Sequence, residues 1–196
     1  MQSLNKGIER NPNFIHIEAS SAKPPSFPAE IYWGTIPSGG STGYLINPEG
    51  IEKWENWDTE FFYIHQITKA DLQRYGSAPS VVCDSINKDL SGKLVFSKEP
   101  QHTIELLKEL FSVVDMTPCE MLVLDLNELF LQTLRTTLEF AENAELILIE
   151  IKKQVAEEHS AYLCGGAFEG HYYSEIWKRV CSNDAAPNNS LNPSPR

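Results

Sequence analysis

From Thr117 to Leu163 the chain reads TPCEMLVLDLNELFLQTLRTTLEFAENAELILIEIKKQVAEEHSAYL, and the fold turns on how this stretch divides. Asp125, Glu128, Gln132, Arg135, Glu139 and Glu142 step by three and four residues. That spacing predicts a polar stripe on a helix whose other faces carry Leu124, Leu131, Leu134, Leu138 and Ala141. Glu150, Lys153, Glu157 and Ser160 continue the spacing with a shifted phase. Thr117-Pro118-Cys119-Glu120 reads as the start: a capping Thr, Pro at the first helical position, and Glu placed to bond back to the cap. One helix from Pro118 to Leu163 would run about 69 Å at 1.5 Å per residue. A compact chain of this size is only about 40 Å across. The stretch is therefore expected to break near Glu142-Asn143 into an antiparallel helical hairpin. Leu146 to Ile151 could instead be a strand by its β-branched content. Cys164-Gly165-Gly166 ends the run.

Working back toward the N-terminus, Pro100 to Val114 places Ile104, Leu107 and Phe111 on one helix face, and Tyr172 to Cys181 is expected to form a last helix. The first half reads as β-rich and irregular. Phe14-Ile15-His16-Ile17-Glu18, Glu30 to Ile36, Gly43 to Ile46, Phe61 to Ile67, Val81-Val82-Cys83 and Lys93 to Phe96 are strand candidates. Pro37 to Ser41 is a turn between two of them. Pro48 to Trp57 reads as a short helix opened by Asn47, and Lys69 to Tyr75 as another, capped by Thr68 and closed by Gly76. The expected architecture is α+β. An irregular β-rich N-terminal half (13–97) with short hairpins packs on a helical half (100–182) with a long-helix hairpin. Together they make one domain over 13–182, with disordered tails at 1–12 and 183–196.

The chain has 196 residues and a formal charge of −11. That argues against direct nucleic-acid binding through a basic face and against polybasic binding to anionic membranes. No run approaches the roughly 18 apolar residues of a membrane span. The N-terminus lacks a secretion signal, and Cys83, Cys119, Cys164 and Cys181 show no paired spacing. Free thiols in the cytoplasm are expected.

Gly39-Gly40-Ser41-Thr42-Gly43 is no phosphate loop. It has no lysine before its Ser/Thr, and a strand follows. The five histidines, His16, His65, His102, His159 and His171, form no zinc-hydrolase pattern. Glu99 and His102 have the spacing of one di-iron motif, but two are needed. The densest reactive cluster is His159, Cys164, Glu169, His171 and Cys181. Cys164 and His171 could serve as nucleophile and base. His159, Cys164, His171 and Cys181 could hold a metal, although their spacing matches no standard site. The blander reading is a helix end with a buried thiol. Asp84, after Cys83 at an expected strand end, is better read as a turn aspartate.

Trp54 and Trp57, three apart, either roof the core or anchor an interface. From Glu120 to Glu150 the net charge is −6, more than half of the total. The leading expectation is a non-catalytic acidic domain of inhibitor, immunity or regulatory type. It would recognise a basic protein partner through Asp125, Glu128, Glu139 and Glu142 with Trp54 and Trp57, and need no cofactor. The alternatives are an enzyme using Cys164 and His171, or a homodimer joined through the long helices, since Met121 to Leu131 is apolar on more than one face.

Overall fold

The computed structural model describes residues 11–37, 39–59, 65–137, 141–159 and 166–182. Five strands are named β1 (Asn13–Ala19), β2 (Pro28–Thr35), β3 (Gly39–Leu45), β4 (Leu94–Ser97) and β5 (Leu122–Asp125). Six helices follow as α1 (Lys69–Tyr75), α2 (Pro79–Leu90), α3 (Pro100–Ser112), α4 (Leu126–Thr137), α5 (Ala144–Glu158) and α6 (Gly166–Cys181), with a 3₁₀ turn at Ala141–Asn143. The strands form one mixed sheet in the order β3-β2-β1-β4-β5. β1, β2 and β3 are antiparallel neighbours. β4 lies parallel to both β1 and β5, so β4-α3-β5 is a parallel crossover unit. The fold is α+β, as expected.

Successive strand residues point to opposite faces, and here both faces are covered. Ile15 and Ile17 of β1, Ala29, Ile31 and Trp33 of β2, and Val95 of β4 pack with Leu72 of α1, Val82 and Ile86 of α2, and Leu107 and Leu110 of α3. On the other face Phe14 and Phe96 pack with Leu126, Phe130 and Leu134 of α4, Leu148 and Ile151 of α5, and Tyr173, Ile176 and Trp177 of α6. The helices therefore cover both faces of the sheet.

Several local expectations are corrected. Thr117-Pro118-Cys119-Glu120 is not a helix start. Asn87 holds this run extended, accepting from the Cys119 amide at 2.7 Å and donating to the Thr117 carbonyl at 3.1 Å. The Gly92 amide donates to the Glu120 carbonyl at 2.7 Å, and Leu122 to Asp125 then adds to the sheet beside β4. Val81 to Cys83 lies in α2, not a strand. Pro79 opens that helix, and Val82, Cys83, Ile86 and Leu90 make its buried face. Asp84 is accordingly an exposed helix residue, not a strand-end one. Pro48 to Trp57 forms turns, with Asn47 Oδ1 accepting from the Glu49 amide at 2.9 Å. Leu146 to Ile151 is helical. The strand expected at Phe61 to Ile67 lies outside the described residues up to 64, and 65–67 are not in a strand.

The long stretch does break where its length requires. α4 ends at Thr137 and α5 begins at Ala144. Arg135, late in α4, bonds Glu145, early in α5, while Asn127 at the start of α4 meets Lys152 further along α5. The two helices are antiparallel. α1 carries the cap read at Thr68, and Asp71 makes it a capping box. The expected tail residues 1–10 and 183–196 lie outside the described residues. Pro12 is already buried, its carbonyl accepting from the Ile36 amide at 3.0 Å.

Candidate functional site

The acidic stripe divides into residues that serve the fold and residues that face solvent. Asp125 belongs to the fold. Its Oδ1 accepts from the amides of Asn127 at 2.7 Å and Glu128 at 3.1 Å, which caps α4. Glu128 is exposed and accepts from Gln132 and Arg135. Arg135 also reaches Glu145 at 3.2 Å, so one guanidinium bridges the two helices. Glu139 lies outside the described residues, and Glu142 is exposed in the 3₁₀ turn.

The solvent face of α5 carries an apolar pair that sequence reading passed over. Ala144, Leu148, Ile151 and Val155 face inward. Leu146 and Ile149 face outward at 68% and 63% exposure, the two highest values among the large apolar side chains so exposed. At 100° per residue Lys153 falls in line with them, and Glu145, Glu150 and Glu157 flank the same face. The result is a small apolar patch with an acidic rim. The signal was present as Leu-Ile-Leu-Ile at 146–149, where only two of four positions can face the core of one helix.

The tryptophans are not part of this surface. Trp54 is 1% exposed, stacks on Phe27 at 5.1 Å between ring centroids, and donates from Nε1 to Glu109 at 2.6 Å. Trp57 is partly buried against the same cluster. As an anchor for a partner Trp54 is therefore excluded, because presenting it would open the core. Beside it lies a cleft of about 410 Å³ lined by Glu49, Glu52, Glu55, Lys69 and Gln73 among others. The acidic character is thus not confined to the helical hairpin. The apolar run Met121 to Leu131 is mostly absorbed by the core: Leu126 and Phe130 are each 1% exposed, and Leu122 is the strongly exposed member.

The cysteine and histidine candidates are partly separated. Cys164 lies outside the described residues. His159 and His171 do meet, their rings edge-to-face at 4.9 Å. Cys181 stands ten residues beyond His171 on the same helix, about 15 Å along its axis, so the expected four-residue metal set does not converge. Among the described residues, no group of three or more His, Cys, Asp or Glu side chains is arranged to hold a metal ion. Burial pushes the Cys83 thiol up to about 12, with Asp84 adding to the effect. It also raises Cys119 and Cys181.

A different polar cluster lies against the sheet. Glu18 of β1 accepts from His16 Nε2 at 2.7 Å through one oxygen and meets His65 Nδ1 at 2.9 Å through the other. All three side chains are less than one-fifth exposed. His16 faces Tyr32 across the β1–β2 pair, and Glu18 faces Glu30. α6 closes over them, bringing Glu169 and Tyr173. The cluster sits toward the carboxyl end of β1, where the chain turns to β2 on one side while β4 leads through α3 to β5 on the other.

No protein-family model matches this chain, and no curated protein matches it. No described helix is long and apolar enough to cross a membrane.

Proposed function

We propose that this protein is a non-catalytic binding domain, an inhibitor or regulatory subunit, that recognises a basic protein through the outer face of α5. The observation that carries this reading is the placement of Leu146 and Ile149 in solvent among Glu142, Glu145, Glu150 and Glu157. Contiguous exposed apolar patches rimmed by polar residues mark contact surfaces, and Leu146 and Ile149 lie side by side on one helix face. The carboxylates favour a partner whose own apolar contact is flanked by Lys or Arg, and they speed its encounter. The same charge disfavours a second copy of this chain on that face, since acidic rims would oppose each other. The proposed setting is the cytoplasm, where the free thiols Cys83, Cys119 and Cys181 would stay reduced.

The test is capture from native lysate with wild type and with Leu146→Glu/Ile149→Glu, at low and high salt. A stoichiometric basic protein held by wild type, released by salt and absent with the variant supports the reading. Equal capture by both proteins overturns it. Reversal of Glu142, Glu145 and Glu150 to Lys should slow association and flatten its salt dependence, and an unchanged on-rate would remove the electrostatic part.

A further inference from the structure

We propose that His16, Glu18 and His65 form a proton-dependent clasp that fastens the run entering α1 to β1. One carboxylate holds two imidazoles, one from its own strand and one from the residue three places before the Thr68 cap of α1. The clasp therefore joins elements distant in sequence through two short hydrogen bonds, largely out of water.

The surrounding charges make the clasp depend on protons. Glu18 and His16 come from β1, Glu30 and Tyr32 face them from β2, His65 comes from the run before α1, and Glu169, Tyr172 and Tyr173 come from α6. One carboxylate thus bonds both imidazoles, and two more lie near enough to His16 to act on it by charge. Tyr173 adds no charge of its own, because burial, with the nearby Glu169 carboxylate, keeps its phenol protonated. Its hydroxyl is sealed from solvent. With His16 neutral the Glu18 carboxylate would keep its charge largely out of water, with the charges of Glu169 and Glu30 nearby, and a proton on His16 offsets it.

The titration directions agree with this geometry. Burial alone would lower His16, but its bond to Glu18 and the charges of Glu18, Glu169 and Glu30 outweigh burial and raise it above 6.5. Burial alone would raise Glu18, yet the bonds from His16 and His65 take it down to about 2. A raised imidazole stabilises fully below its ordinary value and loses that contribution as pH climbs through the raised one. A lowered carboxylate stabilises above its ordinary value and loses that contribution as pH falls toward about 2. The clasp is tightest between 4.5 and 6.5 and loosens on the alkaline side.

The test is native-state hydrogen exchange, corrected for intrinsic rates, on the Asp71 and Leu72 amides that bond back to the Thr68 carbonyl. Protection should be about tenfold greater at about pH 6 than at about pH 8.5, without an equal change in α3. Glu18→Gln should lower protection and abolish its pH dependence. Equal wild-type protection at both pH values, a change shared equally by α3, or wild-type pH dependence in Glu18→Gln would each overturn the clasp. Should that variant fail to fold, titration of the His16 ring by NMR in the wild type decides alone. A midpoint above 6.5 supports the clasp, and one at or below 6.5 overturns it.

Discussion

Gly170 tests how closely α6 is seated on the sheet. It lies inside a helix, where alanine is worth about 1 kcal/mol more than glycine. Propensity alone therefore predicts that Gly170→Ala stabilises the protein. The packing predicts the opposite. A Cβ at this position would stand 2.8 Å from Phe14 Cζ and 3.0 Å from Tyr32 Cε1. Phe14 is 2% exposed and held between the rings of Tyr32 and Tyr173, so it has little room to yield. Inserting a methyl group into such a site costs about 1–3 kcal/mol. The central value exceeds the propensity gain, leaving a net loss of about 1 kcal/mol. For a chain of this size that lowers the melting temperature by about 2–4 °C. Calorimetry measures the shift. Phe14→Leu, which removes the clashing ring atom, should partly rescue the alanine variant, and the four proteins together make a double-mutant cycle. A Gly170→Ala protein that melts above wild type, with no coupling to Phe14, would refute the close approach of α6 to β1 and β2.

Two further outcomes separate roles that the residue type leaves ambiguous. Asp125→Ala should destabilise by about 1 kcal/mol through loss of the α4 cap, seen as a lower urea midpoint, while partner association rates stay unchanged; a slowed association would return Asp125 to the binding surface. Cys83 should be the slowest of the described thiols to react with iodoacetamide at neutral pH, since it is fully buried and its pKa is pushed up to about 12. Labelling as fast as that of Cys181 would show that α2 opens readily from the sheet.

Periodicity made α3 and α6 readable in the sequence, because each buries a face set by its own spacing, and helix length against the size of the molecule made the α4–α5 break readable. The Thr68 cap of α1 was readable because a cap acts locally, while its completion by Asp71 was passed over. The failures share a cause. Thr117 to Asp125 has good helical start chemistry, yet Asn87, thirty residues away, supplies hydrogen bonds that hold it extended, and β4 supplies a strand to join. Val81-Val82-Cys83 has strand composition, but Pro79 and the later apolar positions Ile86 and Leu90 place it on a helix. The His16–Glu18–His65 cluster was hidden for a related reason. Alternation in Phe14-Ile15-His16-Ile17-Glu18 resembles a strand with one wet face, and only the docking of α6 makes that face interior.

The two acidic features of the molecule obey different physics. The carboxylates beside Leu146 and Ile149 are hydrated and separated, so salt screens them and a partner's charge can replace water around them at small cost. Those around His16 have lost much of their hydration, and screening by salt reaches them weakly. Glu18 is held there by its bonds from His16 and His65. Salt should therefore act on association through α5 and leave the clasp nearly untouched, while pH between 6.5 and the raised value of His16 should act chiefly on the clasp. The two proposals stand on separate elements, α5 in one case, β1 and the entry to α1 in the other. Substitutions at Leu146 and Ile149 should leave the pH dependence of Leu72 exchange as it is in the wild type, and that independence lets either proposal fail without the other.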